Sequence, residues 1–182
     1  MISHSGGADG FVTSVCLFPE EKLGIVVLTN TDANYMYDGV KRQIIDAYLD
    51  QPYRDYNALY YSRFEKNTKA DNDGLAALEA KADEKNKPDF DLSSLVGKYE
   101  NEVYGMMEVK MEKNQPVMYF EHHPNLRGYL KYLGDHKFLC TYSSAMYGEK
   151  EIPFEISGNA VKSCTVSVND FIDYKTYSFV KK

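Results

Sequence analysis

Met107-Glu108-Val109-Lys110-Met111-Glu112 alternates apolar and charged residues, the period of a strand with one buried face and one face in water. Working outward, further strand candidates fall at 117–121, 128–133, 137–142, 152–156, 161–168 and 171–179. Turn signals separate them: Asn114-Gln115-Pro116, Gly134-Asp135, Ser157-Gly158-Asn159 and Asn169-Asp170. Gly97-Lys98-Tyr99-Glu100-Asn101, followed by Tyr104-Gly105, opens the series. About eight short strands so punctuated predict an antiparallel meander, closed or nearly closed into a small barrel, over residues 91–182. Sixteen Tyr and nine Phe with no Trp fit this reading, because Tyr suits half-buried sheet faces.

Residues 51–90 read as a helical linker. Ala76-Ala77-Leu78-Glu79-Ala80-Lys81-Ala82 is strong helix composition, and the polar run from Asp83 ends at Lys87-Pro88-Asp89. Asp71-Asn72-Asp73-Gly74 looks like part of a calcium loop. The pattern needs acids where Lys69 and Ala80 stand, so a plain loop is expected.

Residues 1–50 predict a β-hairpin plus a helix. Apolar runs at 12–18 and 23–28 flank the turn Pro19-Glu20-Glu21-Lys22, with Gly6, Gly7 and Gly10 just ahead. Such glycines let backbone N–H groups approach a ligand closely. Asp38 is placed to cap the helix, whose apolar face is Val40, Ile44, Ile45, Tyr48 and Leu49. The whole is an α+β chain: hairpin and helices, a helical linker, then the barrel.

The segment His4-Ser5-Gly6-Gly7, with Asp9-Gly10-Phe11 and the run Gly24-Ile25-Val26-Val27-Leu28-Thr29-Asn30, resembles one enzyme family. It is the serine β-lactamase and penicillin-binding-protein-like hydrolases, in their class C, esterase-like branch. That family carries SxxK, then YxN, then a KTG box, written HxG in this branch. The resemblance implies that His4-Ser5-Gly6 is the HxG box on an edge strand lining the substrate cleft. It also implies that His4 and the Ser5 hydroxyl contact substrate or a proton network, and that the N–H of Gly7 helps form an oxyanion hole. Residues 1–50 then correspond to the C-terminal fragment of the catalytic domain. Residues 51–90 continue the likeness with Pro52, Arg54, Asp55 and Tyr56 ahead of a Lys/Ala/Glu-rich helix. Residues 91–182 resemble the lipocalin-like domain of unknown function often fused to these hydrolases.

The other two motifs occur in unusable context. Tyr99-Glu100-Asn101 and Ser178-Phe179-Val180-Lys181 reverse the family order, and Ser178 lies in a strand pattern rather than at the head of a buried helix. No nucleophile is assigned, and an acyl-transfer enzyme needs nucleophile, base and oxyanion hole together. Peptides, esters or β-lactams are the substrates that the resemblance implies for the parent enzyme.

Other classes are disfavoured. A net charge of −6 with scattered Lys lacks the basic stripe of a nucleic-acid binder. No apolar run reaches membrane-spanning length, and nothing ahead of His4 reads as a signal peptide, although the family is usually exported. Cys16, Cys140 and Cys164 are widely spaced and read as small buried apolar residues. His122-His123 point to opposite faces of a strand and His136 adds no convincing third ligand, so no metal or other cofactor is expected. Tyr119, Tyr129, Tyr142 and Phe154 are expected inside the barrel, either filling it or lining a cavity for a small apolar ligand; the filled core is preferred.

The leading functional expectation is the C-terminal part of a serine hydrolase, inactive by itself. Its partner would be the missing N-terminal catalytic portion, or a second copy covering the hairpin. The alternative is a stand-alone binding or regulatory module built on the barrel.

Overall fold

The structure, a computed structural model, describes residues 1–8, 10–31, 34–84, 86–158, 160–170 and 172–182. The chain is α+β, with a three-stranded antiparallel sheet, two α-helices and a closed eight-stranded antiparallel barrel. It divides into two compact units, Met1–Asn72 and Asp73–Lys182.

In the first unit the expected hairpin forms as β2 (Phe11–Phe18) and β3 (Leu23–Thr29), around a turn in which Lys22 N–H donates to the Pro19 carbonyl at 3.2 Å. A third strand, β1 (Ile2–Ala8), pairs with β2 from Ile2↔Leu17 to Ala8↔Phe11. The Gly-rich stretch is therefore itself an edge strand, not a lead-in to one.

Helix α1 (Met36–Tyr48) packs on β3 and β2 and covers the face bearing Ser14, Cys16 and Ile25, all buried. Asp38 does not cap it. Asp38 lies in the first turn, and the Asn34 side chain accepts the Met36 N–H instead. The expected apolar stripe is also not a core face: Val40, Ile44, Tyr48 and Leu49 are exposed, and Gly39 is the buried residue. A Cβ on Gly39 would stand 3.5 Å from Tyr60, an ordinary contact, so the Tyr60 ring packs here without requiring the glycine.

Helix α2 (Tyr56–Asp83) is much longer than the 76–82 expectation, and it includes Asp71-Asn72-Asp73-Gly74, expected as loop. The Asp55 carboxylate accepts the Ala58 N–H at 2.8 Å and starts the helix. Ala, Leu, Glu and Lys on both sides of Gly74 then propagate it through a residue that costs about 1 kcal/mol.

The barrel order is β10-β11-β4-β5-β6-β7-β8-β9. Its strands are β4 (Gly97–Asn101), β5 (Gly105–Glu112), β6 (Gln115–Phe120), β7 (His123–Gly134), β8 (Lys137–Tyr142), β9 (Glu149–Ser157), β10 (Ala160–Val166) and β11 (Tyr177–Lys181). The β5–β6 turn places Lys113 and Asn114 at positive φ, which matches the right-handed twist of its strands. Of the expected turn Ser157-Gly158-Asn159, Asn159 lies outside the described residues, as does Phe171 of the last expected strand and Asp9 of the N-terminal motif.

Alternation fills the interior with Met107, Val109, Met118, Leu130, Phe138, Ile152 and Phe179. Tyr142 and Phe154 belong to this core, as expected. Tyr119 and Tyr129 do not. Tyr119 sits on the outer surface under Arg127, whose guanidinium carbon is 4.2 Å from its ring centroid. Tyr129 is one residue out of phase with the buried Gly128 and Leu130.

Candidate functional site

The HxG candidates lie in the middle of β1, every residue of which is exposed. Register fixes where each side chain stands. His4 is opposite Val15, which is opposite Val26, so these three share the sheet face that α1 does not cover. Ser5 is opposite Ser14 and then Val27, on the helix-covered face but beyond the helix, which packs on β2 and β3. His4 and Ser5 therefore stand on opposite faces of the edge strand. The Ser14 hydroxyl donates to the His4 carbonyl at 3.4 Å, and Thr13 Oγ1 to the Gly6 carbonyl at 3.4 Å. An edge strand also leaves alternate backbone N–H and C=O groups unpaired, the geometry an oxyanion hole or an added strand uses.

Gly6 is the informative member. It has an extended backbone, not a positive φ, and a Cβ built on it would meet nothing within 4 Å. Glycine weakens a strand through its backbone entropy and missing side chain. Nothing in the packing of the described residues requires glycine there.

The uncovered face continues as an apolar surface. Leu17 and Gly24 extend it one way; Leu28, opposite Thr13, and Phe11 extend it the other. Val26 is 65% exposed and Leu28 74%. On the same unit an open groove of about 660 Å³ separates α1 from α2, with Val40, Ile44 and Phe64 among its walls.

The second and third motifs are brought together, yet not as a site. Lys181 pairs with Tyr99 across β11 and β4, and the Asn101 side chain donates to the Ser178 carbonyl at 2.8 Å. Tyr99 is fully buried and its hydroxyl donates to the Leu95 carbonyl at 2.7 Å. Burial pushes that hydroxyl well above the usual phenol range, the opposite of what a general base needs. Lys181 donates to the Ser94 carbonyl and lies 5.7 Å from the Tyr99 ring centroid; burial lowers its ammonium. Ser178 and Lys181, three apart on a strand, project to opposite faces.

Cys16, Cys140 and Cys164 are free and buried. His136 Nε2 is 3.5 Å from Asp89 and its ring meets the edge of Phe90, while His122 and His123 lie at the β6–β7 turn. Among the described residues no three His, Cys, Asp or Glu side chains gather at metal-binding distance. No described helix is long and apolar enough to cross a membrane.

The open sheet face was legible in the sequence, whose two apolar hairpin strands call for a cover that residues 1–50 do not supply. Its signal was that both strands of the hairpin are apolar at nearly every position, a pattern of strands buried on two sides. No family model matches the chain, and no curated protein or solved structure is significantly similar to it.

Proposed function

We propose that this chain is the C-terminal part of a β-lactamase-like serine hydrolase, acting on acyl substrates such as peptides, esters or β-lactams. In this reading β1 is one wall of an acyl-transfer site whose nucleophile and base come from an N-terminal portion of the enzyme, and the chain alone is inactive. The observation that supports it best is Gly6: an unstrained glycine on a fully exposed edge strand, where a Cβ would meet nothing within 4 Å among the described residues, leaves room for a molecule from outside. The bare apolar face of β2 and β3 agrees, since large contiguous apolar patches mark surfaces that are covered in the working protein.

His4 then stands beside the covering portion. The N–H of Gly7 helps hold the acyl oxygen, where preorganised donors stabilise developing negative charge. The barrel is the appended domain of this reading, lipocalin-like in architecture.

The test is complementation. The chain alone is expected to give no turnover of a nitrophenyl ester or chromogenic cephalosporin, and no fluorophosphonate adduct by mass spectrometry. Mixed with the N-terminal catalytic portion it is expected to restore hydrolysis, and Gly6→Ala is expected to lower the restored rate without changing the melting temperature of the chain. Turnover by the chain alone, or a stoichiometric adduct on Ser178, overturns the reading.

A further inference from the structure

At one end of the barrel the chain leaves a cavity of about 160 Å³. Its inner wall is Phe120, Leu126, Tyr142, Val166 and Phe179, from five different strands. The rings of Phe120 and Tyr142 lie 6.2 Å apart, and Tyr147 continues the belt 6.0 Å from Tyr142. A cavity of roughly 150 Å³ with apolar walls is enough to hold benzene.

The mouth is polar and lopsided in its hydrogen bonding. Asp173, its carboxylate, is already occupied. It accepts Tyr177 Oη at 2.7 Å, Tyr104 Oη at 3.2 Å and the Lys175 N–H at 2.9 Å. The Tyr142 hydroxyl is likewise committed, donating to the Ser167 carbonyl at 2.7 Å. The groups left over can donate. Lys175, whose ammonium lies in the field of Asp173, and His122 and His123, each with at least one ring N–H, also line the cavity and make no side-chain hydrogen bond among the described residues. An aromatic cavity beneath spare donors suits a molecule with a flat apolar end and an oxygen-acceptor head.

We propose that this cavity binds a small aryl carboxylate, with its ring in the aromatic belt and its carboxylate against Lys175 and the two histidines. The site lies wholly within the Asp73–Lys182 unit and does not depend on the hydrolase reading.

The experiment titrates the full chain with phenylacetate, 2-phenylethanol and phenethylammonium, following backbone amides by NMR. Phenylacetate is expected to give saturable shifts at residues 120, 126, 142, 166 and 179, and to bind more tightly than the other two. Lys175→Glu, a change at an exposed position, is expected to weaken phenylacetate about tenfold by turning attraction into like-charge repulsion, with 2-phenylethanol unaffected. Val168→Phe, which fills the half-buried wall, is expected to abolish the shifts from all three. The absence of saturable shifts at those amides overturns the proposal. So does phenethylammonium binding at least as tightly as phenylacetate, or wild-type phenylacetate affinity in Lys175→Glu. If the Val168 variant does not fold, the Lys175 variant and the ligand series decide.

Discussion

Gly128 lies inside the barrel wall, paired with Met118 on one side and Tyr142 on the other. A Cβ there would stand 2.7 Å from Met118 Cε and 2.8 Å from Cys140 Sγ. Ordinary contacts between such atoms are about 3.5–4.0 Å, so roughly 1 Å must be found on two sides at once. Met118 and Cys140 are both fully buried, and closed strands give little. Gly128→Ala is therefore expected to cost about 1–3 kcal/mol by overpacking. For a unit of about 100 residues that lowers Tm by roughly 4–12 °C. The assay is thermal melting followed by near-ultraviolet circular dichroism, which reports the packing of the barrel tyrosines. Met118→Leu removes the methyl closest to the new Cβ, so in the Gly128→Ala background it is expected to restore part of the loss. An unchanged Tm in Gly128→Ala, or strict additivity in the double variant, refutes the steric argument.

The first unit has a compact electrostatic test. Burial works to raise the Asp38 carboxyl, but hydrogen bonds from Arg42 at 2.8 Å, Lys41 and Tyr60 at 2.5 Å outweigh it and hold it at about 2. Because the folded value lies below the ordinary 3.8, the stabilisation is present above that value and is lost as pH falls through about 2. Asp38→Asn is expected to cost about 1 kcal/mol at neutral pH, Arg42 being half exposed, and to flatten the acid limb of a stability-versus-pH curve; an unchanged limb counts against it. Tyr99→Phe leaves the Leu95 carbonyl without its buried donor and is expected to cost about 1–3 kcal/mol in urea unfolding, whereas no change in midpoint would show the bond to be dispensable. Burial pushes the Cys164 thiol up to about 12 and the Cys140 thiol higher still, so neither is expected to react with Ellman's reagent at pH 8 until the chain unfolds; rapid native labelling contradicts this. Leu28→Lys, on the bare sheet face, is expected to leave folding stability within about 0.5 kcal/mol and to abolish any self-association seen by sedimentation, while undiminished association would show that the face is not the contact.

Period-two alternation made the barrel legible because one face of each strand meets a core and the other meets water. Residues 107–110 show it cleanly, with Met107 and Val109 in the core and Glu108 and Lys110 on the other face. The same rule misplaced Tyr119 and Tyr129, since residues 117–120 are apolar at every position and leave the phase open, and Tyr119 finds Arg127 over its ring on the outer face. The last strand was overestimated for a related reason. Ile172, Tyr174 and Thr176 are strand formers, yet Asp173 holds residues 172–176 in a hydrogen-bonded loop through Tyr104, Tyr177 and the Lys175 N–H. Helix α2 was underestimated because its middle is polar on all sides. Its extent rests on propensity and on the Asp55 cap rather than on an apolar stripe, and Tyr56 is its only buried residue among those described.

The candidate hydrolase site was legible as a motif and not as a geometry. Four residues, His4-Ser5-Gly6-Gly7, name a pattern, but pairing with β2 is what turns them into an edge and separates His4 from Ser5 by the thickness of the sheet. That separation has a chemical consequence within the proposed function. Only one of the two side chains can face a given substrate group, and His4 shares its face with Val15 and Val26, the surface proposed to be covered. Ser5 instead lies on the face where α1 stops short of β1. In the complemented enzyme His4→Ala and Ser5→Ala should therefore separate. Loss of assembly with little intrinsic rate effect is expected for the first, and a lowered turnover with assembly intact for the second. Measuring the concentration dependence of restored hydrolysis distinguishes the two, and equal effects of both substitutions on the half-saturating concentration would refute the division of roles.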